Sequence, residues 1–93
     1  MIKSFKCSQT EQIFQGNYSK KFPVDIQKRA FNKLSMIDAS EKIDDLRIPP
    51  SNKLEKLVGN RAEQYSIRIN DKYRICFEWQ DNEAHNVEIV DYH

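Results

Sequence analysis

The stretch Tyr65–Trp79 constrains the fold more than any other part of this sequence. In Tyr65-Ser66-Ile67-Arg68-Ile69 the odd positions are apolar and the even ones polar. Tyr73-Arg74-Ile75-Cys76-Phe77-Glu78-Trp79 repeats the pattern with the same parity. Successive side chains of a strand point to opposite faces, so each run presents one apolar face and one polar face. Asn70-Asp71-Lys72 between them is turn material, and the pattern predicts two half-buried antiparallel strands in a hairpin. Asp81-Asn82-Glu83 marks a second turn. Val87 to Tyr92 reads as a last strand, with Val87 and Ile89 on the core side.

An apolar sheet face needs a cover, and the first half of the chain supplies one. Pro23 suits the opening of a helix, and Val24 to Asp38 carries Ile26, Ala30, Leu34 and Ile37 at three- and four-residue intervals. Phe31 widens that stripe, while Lys28, Arg29, Asn32 and Lys33 fall outside it. Upstream, Met1–Cys7 alternates loosely like a short first strand. Ser8-Gln9-Thr10-Glu11 has capping-box spacing, with Ser8 as N-cap, Ile13 and Phe14 buried, and Gly16-Asn17 as the stop. Ser40 is placed to cap a short helical turn through Leu46, with Ile43 and Leu46 facing inward. Pro49-Pro50 then favours an extended connection. Helices on one face of an antiparallel sheet make a compact α+β domain.

At 93 residues the chain holds one domain, residues 1–93, with no room for a second core. No apolar run approaches the roughly 18 residues of a membrane span, and the opening MIKSFKCSQT lacks the apolar stretch of a secretory leader. Cys7 and Cys76, far apart in sequence, suggest neither a disulfide framework nor a zinc cluster, so a reducing cytoplasm is the expected setting. Net charge is only +1, but its distribution is uneven. Lys53 to Arg74 holds six cations against three anions, whereas Ile75 to His93 holds five anions and no Lys or Arg. Such a segment offers a polyanion one patch, although a merely solvated charged face has the same composition.

The same parity that buries Ile67 and Ile75 places Arg68 and Arg74 on the face opposite the helices, flanking one turn. Two adjacent guanidiniums repel unless an anion or a carboxylate joins them, and their planar forks suit phosphate. Cross-strand ion pairs to Glu78 or Glu88 are the structural alternative. Upstream, Leu54 and Leu57 would anchor a loop that leaves Lys53, Lys56 and Arg61 in solvent, a candidate track for a nucleic-acid backbone. Cys76 shares the open-face parity, but no histidine has a defined spacing to it, and a buried structural cysteine is the commoner case. His85 reads as a solvated residue of the second turn. Asp44 and Asp45 point in different directions and form no dyad, and no glycine-rich phosphate loop or metal-ligand spacing exists. His93 follows the core-facing parity of Val87 and Ile89, opposite Arg68 and Arg74.

Taken together, "IKSF", "LEKLVGNRAEQYSIRINDKYRICFEW" and the closing "VEIVDYH" resemble the HigB-type toxins, GraT-like members included, of the RelE/ParE superfamily. The resemblance runs almost the whole length and implies a RelE/ParE-like fold. It implies a toxin that cleaves mRNA on the ribosome by attack of the 2′-hydroxyl on the adjacent phosphate, without metal or other cofactor. Arg68 and Arg74 match the family's phosphate-binding strand positions, and His93 matches its acid/base histidine, whose unperturbed pKa of ~6.5 suits proton transfer. Lys53, Lys56, Arg61 and Tyr92 would contact RNA. The implied partners are the ribosome and mRNA, and a helix-turn-helix antitoxin of the HigA type through which alone the toxin meets operator DNA. No membrane is implied. A competing reading is a toxin-fold protein that inhibits gyrase, or an attenuated one, acting by binding only.

Overall fold

The computed structural model describes residues 1–61 and 63–91. Two helices, α1 (Ser8–Phe14) and α2 (Val24–Ala39), precede four strands. These are β1 (Glu55–Lys56), β2 (Gln64–Arg68), β3 (Tyr73–Gln80) and β4 (Glu83–Asp91), hydrogen-bonded in sequence order as an antiparallel meander. The main helix and the two hairpins expected from periodicity are present, and α2 has Pro23 as its N-terminal cap residue.

The core lies between α2 and the odd-numbered face of the sheet. Ile26, Ala30, Leu34 and Ile37 of α2 are buried against Ile67, Ile75, Phe77 and Ile89. Tyr65 stacks on Phe77 across the strand pair, with ring centroids 6.4 Å apart. Phe31 departs from the expected stripe. It is 39% exposed and lines an open groove with Tyr18, because α1 does not reach far enough to cover that flank of α2. Lys33 departs in the other direction and is buried.

Met1–Cys7 forms no regular strand. It runs parallel to β4 through isolated bridges at Ile2↔Ala84 and Phe5↔Val87. Lys3 N donates to Ala84 O at 2.8 Å and Lys6 N to Val87 O at 3.0 Å, which covers part of the β4 edge. Where this segment turns into α1, Thr10 Oγ1 accepts from Ile89 N at 3.0 Å and covers one further β4 amide. Ser8 is not the cap of α1. Cys7 takes that position with extended backbone, and Ser8 is the first helical residue with no side-chain cap bond.

Ser40 likewise serves a different end from the one expected. Its Oγ donates to Met36 O at 2.7 Å and closes α2. The following turn, Ile43–Arg47, is capped by the Asp45 carboxylate, which accepts from Glu41 N at 2.9 Å and Lys42 N at 3.1 Å. Those two donors, Lys42 first, hold the Asp45 carboxyl below its ordinary value. Leu46 is buried and Ile43 half-buried, as expected. Pro50 opens a short turn, Pro50–Asn52, so the connection is extended only at Ile48 and Pro49, which are joined by a cis bond.

The two hairpins close differently. Asp81 and Asn82, with φ of 54° and 62°, form the tight two-residue link from β3 to β4. His85 is therefore not in a turn but in β4, half-buried and opposite Glu78. Pairing then shifts by one residue between Glu78↔His85 and Cys76↔Glu88, with Asn86 in a left-handed conformation at φ 53°. This bulge switches the inward position of β4 from Ala84 to Val87 and Ile89. Among the described residues, no helix is long and apolar enough to cross a membrane.

Candidate functional site

The even-numbered face of the sheet, away from the helices, carries Ser66 and Arg68 on β2, Arg74 and Cys76 on β3, and Glu88 and Val90 on β4. Arg68 and Arg74 are direct partners in the β2–β3 register, so the sequence parity brings them together as expected. Their surroundings differ. Arg74 is 8% exposed, and its Nε donates to Ser66 Oγ at 2.8 Å. Its Nη2 donates to Lys53 O at 2.6 Å and lies 3.8 Å from a Glu55 carboxylate oxygen. Those bonds hold the guanidinium in one orientation.

What lies over Arg74 is the segment the sequence shows only as a basic loop. Lys53 takes a left-handed conformation at φ 48° and turns its carbonyl toward the guanidinium. Glu55 and Lys56 then form β1, paired with Ser66 and Tyr65, and Leu57 N donates to Gln64 O at 2.8 Å. Leu57 is buried and Leu54 half-buried, the expected anchors, while Lys53 and Lys56 remain exposed. Arg61 is not left in solvent. It is half-buried and donates to Gln64 Oε1 at 2.9 Å and Glu88 Oε2 at 3.2 Å.

The alternative of cross-strand carboxylates is corrected in its details. Glu88 pairs with Arg61 and, at 3.6 Å, with Lys6, whereas Glu78 accepts from Asn86 Nδ2 at 3.0 Å. Among the described residues, the carboxylates near the two arginines come from Glu55, for Arg74, and Asp71, for Arg68. Cys76 is fully buried beneath this layer, and burial pushes its thiol upward, so its place is structural.

Arg68 reaches the end of the sheet. β1 pairs with β2 only at Tyr65 and Ser66, so among the described residues no strand lies beside the β2 edge beyond Ser66. There Arg29 Nη1 donates to Ile69 O at 3.1 Å, and Arg29, Lys33, Ser51, Arg68 and Ile69 line an open hollow of about 340 Å³. Burial, and then the charges of Arg29 and Arg68, depress the Lys33 pKa below its ordinary value. Sequence reasoning missed this grouping. Its one trace was the i, i+4 spacing of Arg29 and Lys33, which puts like charges on one side of a helix at some cost.

The expected site residues Tyr92 and His93 lie outside the described residues. From Val87 to Asp91, β4 keeps the alternation read from the sequence, with Ile89 opposite Ile75 and Asp91 opposite Tyr73. Among the described residues, no group of three or more His, Cys, Asp or Glu side chains is placed to hold a metal ion.

A helix pair on one face of a four-stranded antiparallel meander is an architecture shared with a class of small toxins. The YoeB–YefM complex from Staphylococcus aureus shares the fold. Aligned over 100% of this chain and 98% of the matched one, it gives a TM-score of 0.56 at 26% identity. A heterotetrameric YoeB–YefM toxin–antitoxin complex from the same organism gives 0.57 at 20% identity, with the same coverage. In sequence, residues 3–93 match the HigB-like toxin family, described as the RelE-like toxin of type II toxin–antitoxin system HigB. Toxin HigB-1 of Vibrio cholerae is 39% identical over 87 residues, 92% of each chain. Endoribonuclease HigB of Proteus vulgaris is 30% identical over 93 residues, 100% of each chain. The chain belongs to the HigB-like family, the RelE-like toxins of type II toxin–antitoxin systems, and such a system pairs it with an antitoxin.

Proposed function

We propose that this toxin is a ribosome-dependent mRNA endoribonuclease, working in the cytoplasm as a single domain over residues 1–93. The observation that carries the reading is the cross-strand pairing of Arg68 with Arg74 on the sheet face away from the helices. Two arginines from paired positions of one sheet face can supply charge where a cleaving phosphate accumulates it. The name of the Proteus vulgaris relative points to the same chemistry.

In this mechanism the RNA 2′-hydroxyl attacks the adjacent phosphate and the 5′-oxygen leaves, so the substrate brings its own nucleophile and the reaction needs no metal. The protein aligns the nucleotide and stabilises the pentacoordinate phosphorane. Arg74, held by Ser66 and the Lys53 carbonyl, is a pre-oriented donor that costs little to reorganise. Arg68 is held by Asp71, which is almost fully exposed, and such a surface ion pair is easily exchanged for phosphate. His93 is the proposed proton carrier, and Tyr92 a contact to the RNA. Lys53 and Lys56, exposed beside Arg74, meet the RNA backbone, and Arg61 joins them by exchanging Glu88 for phosphate. A helix-turn-helix antitoxin of the HigA type would restrain the toxin and carry it to operator DNA.

Purified toxin incubated with mRNA, with and without ribosomes, tests the reading. Cleavage that requires ribosomes and leaves 2′,3′-cyclic or 3′-phosphate ends supports it. Ribosome-bound mRNA that stays intact contradicts it and leaves a binding-only toxin.

A further inference from the structure

The hollow at the open end of β2 is built from cations that the mechanism only partly uses. Lys33 is 8% exposed, and its Nζ donates to the side-chain oxygen of Asn52, which is itself fully buried. The other Asn52 amide atom donates to Leu46 O at 3.1 Å, so the acceptor facing Lys33 is fixed. Among the described residues, neither Lys33 nor Arg29 forms an ion pair with a carboxylate. Lys33 thus shares one concave space with two guanidiniums and a serine hydroxyl, and has only a neutral oxygen as partner.

Three cations line this open hollow and, among the described residues, only Arg68 has a carboxylate partner, Asp71, so the others repel one another, and burying Lys33 adds a desolvation cost. A bound anion relieves both. The donor set is two planar forks, an ammonium and a hydroxyl, which matches the several oxygens of a tetrahedral phosphate better than one carboxylate. At about 340 Å³ the hollow has room for a phosphate with attached atoms. Arg68 belongs both to this hollow and to the pair with Arg74, so an anion here sits next to the proposed cleavage site.

We propose that Arg29, Lys33, Ser51 and Arg68 form a phosphate-binding subsite, which receives a backbone phosphate of the RNA outside the bond being cut. The assignment of the phosphate to RNA rests on the nuclease reading, whereas the capacity to hold a phosphate group does not. Binding of the phosphate tightens when Lys33 is charged, so occupancy raises the Lys33 pKa toward the usual lysine range.

The test is an NMR titration of the full chain, following the side-chain nitrogens of Arg29, Lys33 and Arg68. Inorganic phosphate is added alone, then in competition with a short single-stranded RNA that has a non-cleavable 2′-deoxy position. The subsite predicts saturable shifts at all three side chains and a higher Lys33 pKa with phosphate. It also predicts weakening by about tenfold or more in Arg29→Glu, whose side chain is exposed and whose loss leaves the core intact. Lys33→Met, which keeps the length without the charge, should weaken binding similarly. Displacement of phosphate by the RNA assigns the site to the backbone, and undisturbed phosphate assigns it to the free anion. Absent or unsaturable shifts, or unchanged binding in folded Arg29→Glu, overturn the subsite. Such a failure leaves ribosome-dependent cleavage unaffected, so the two readings fail separately.

Discussion

The two faces of the sheet are made by the same alternation and do opposite things. The odd face is covered by α2, and Ile67, Ile75, Phe77 and Ile89 on it are almost wholly buried. The even face is covered only in part, by β1 and its flanking turns, and it buries polar groups, Ser66 and Arg74, above the thiol of Cys76. An apolar face is satisfied by any well-shaped neighbour, because hydrophobic burial has no direction. A polar face needs named partners at set distances, and Arg74 finds them in Ser66, Lys53 and Glu55. Stability therefore resides mainly on one face, and the proposed chemistry on the other.

Mutations should separate the two. Leu34→Ala, on the fully buried stripe of α2, is expected to cost about 2–5 kcal/mol of stability, read from chemical denaturation, with cleavage per folded molecule unchanged. Arg74→Lys should do the reverse in proportion. It should lower the rate of mRNA cleavage by about a hundredfold or more, because an ammonium cannot reproduce the guanidinium's bonds to Ser66 and Lys53 while facing phosphate. Loss of cleavage without loss of fold sharpens the division, and equal loss in both assays breaks it.

Smaller effects probe the covering layers. Ser66→Ala removes the acceptor of Arg74 Nε and should cost about 1–3 kcal/mol, with a lower cleavage rate as the guanidinium loosens. The thiols offer a chemical reading of the same difference. At Cys7, burial raises the pKa, but hydrogen bonds involving Thr10, Gln9 and Lys21 outweigh it and lower the value, whereas burial raises that of Cys76. A thiol reagent at mildly alkaline pH should therefore label Cys7 readily, and Cys76 only on unfolding.

The smallest effect concerns Asp45, in the short turn Ile43–Arg47. Its carboxyl is depressed in the folded chain by the Lys42 and Glu41 amides, so its contribution is complete above the ordinary carboxylate value of 3.8. That contribution disappears as pH falls below this value through the folded pKa. Comparing Asp45→Asn with the parent chain should show a stability difference that narrows on acidification over that range. A difference independent of pH would contradict the capping role.

Legibility in the sequence followed the range of the interactions. Both hairpins and the α2 stripe were readable because alternation and three-to-four spacing are local. The pairing of Arg68 with Arg74 was readable for the same reason, since it follows from parity and one turn. Ser8 and Ser40 were misread because a capping side chain depends on backbone geometry, and each hydroxyl sits one position or one element away from the end it was assigned to. The two-residue β1 was invisible, since Glu55 and Lys56 carry no strand pattern and gain one only from pairing with β2. Lys33 looked like a solvent-facing residue, and only the turn bearing Ser51 and Asn52, packed alongside, makes it buried.

Cleavage mapping tests the central claim most directly. Primer extension on mRNA after brief induction of the wild-type toxin, Arg68→Ala and Arg74→Ala, with folding of each variant checked by circular dichroism, compares the polar face with itself intact and disarmed. The account predicts discrete cleavage within translated regions for the wild type, and its loss in both folded variants. Wild-type cleavage that persists undiminished in folded Arg68→Ala and Arg74→Ala would contradict it.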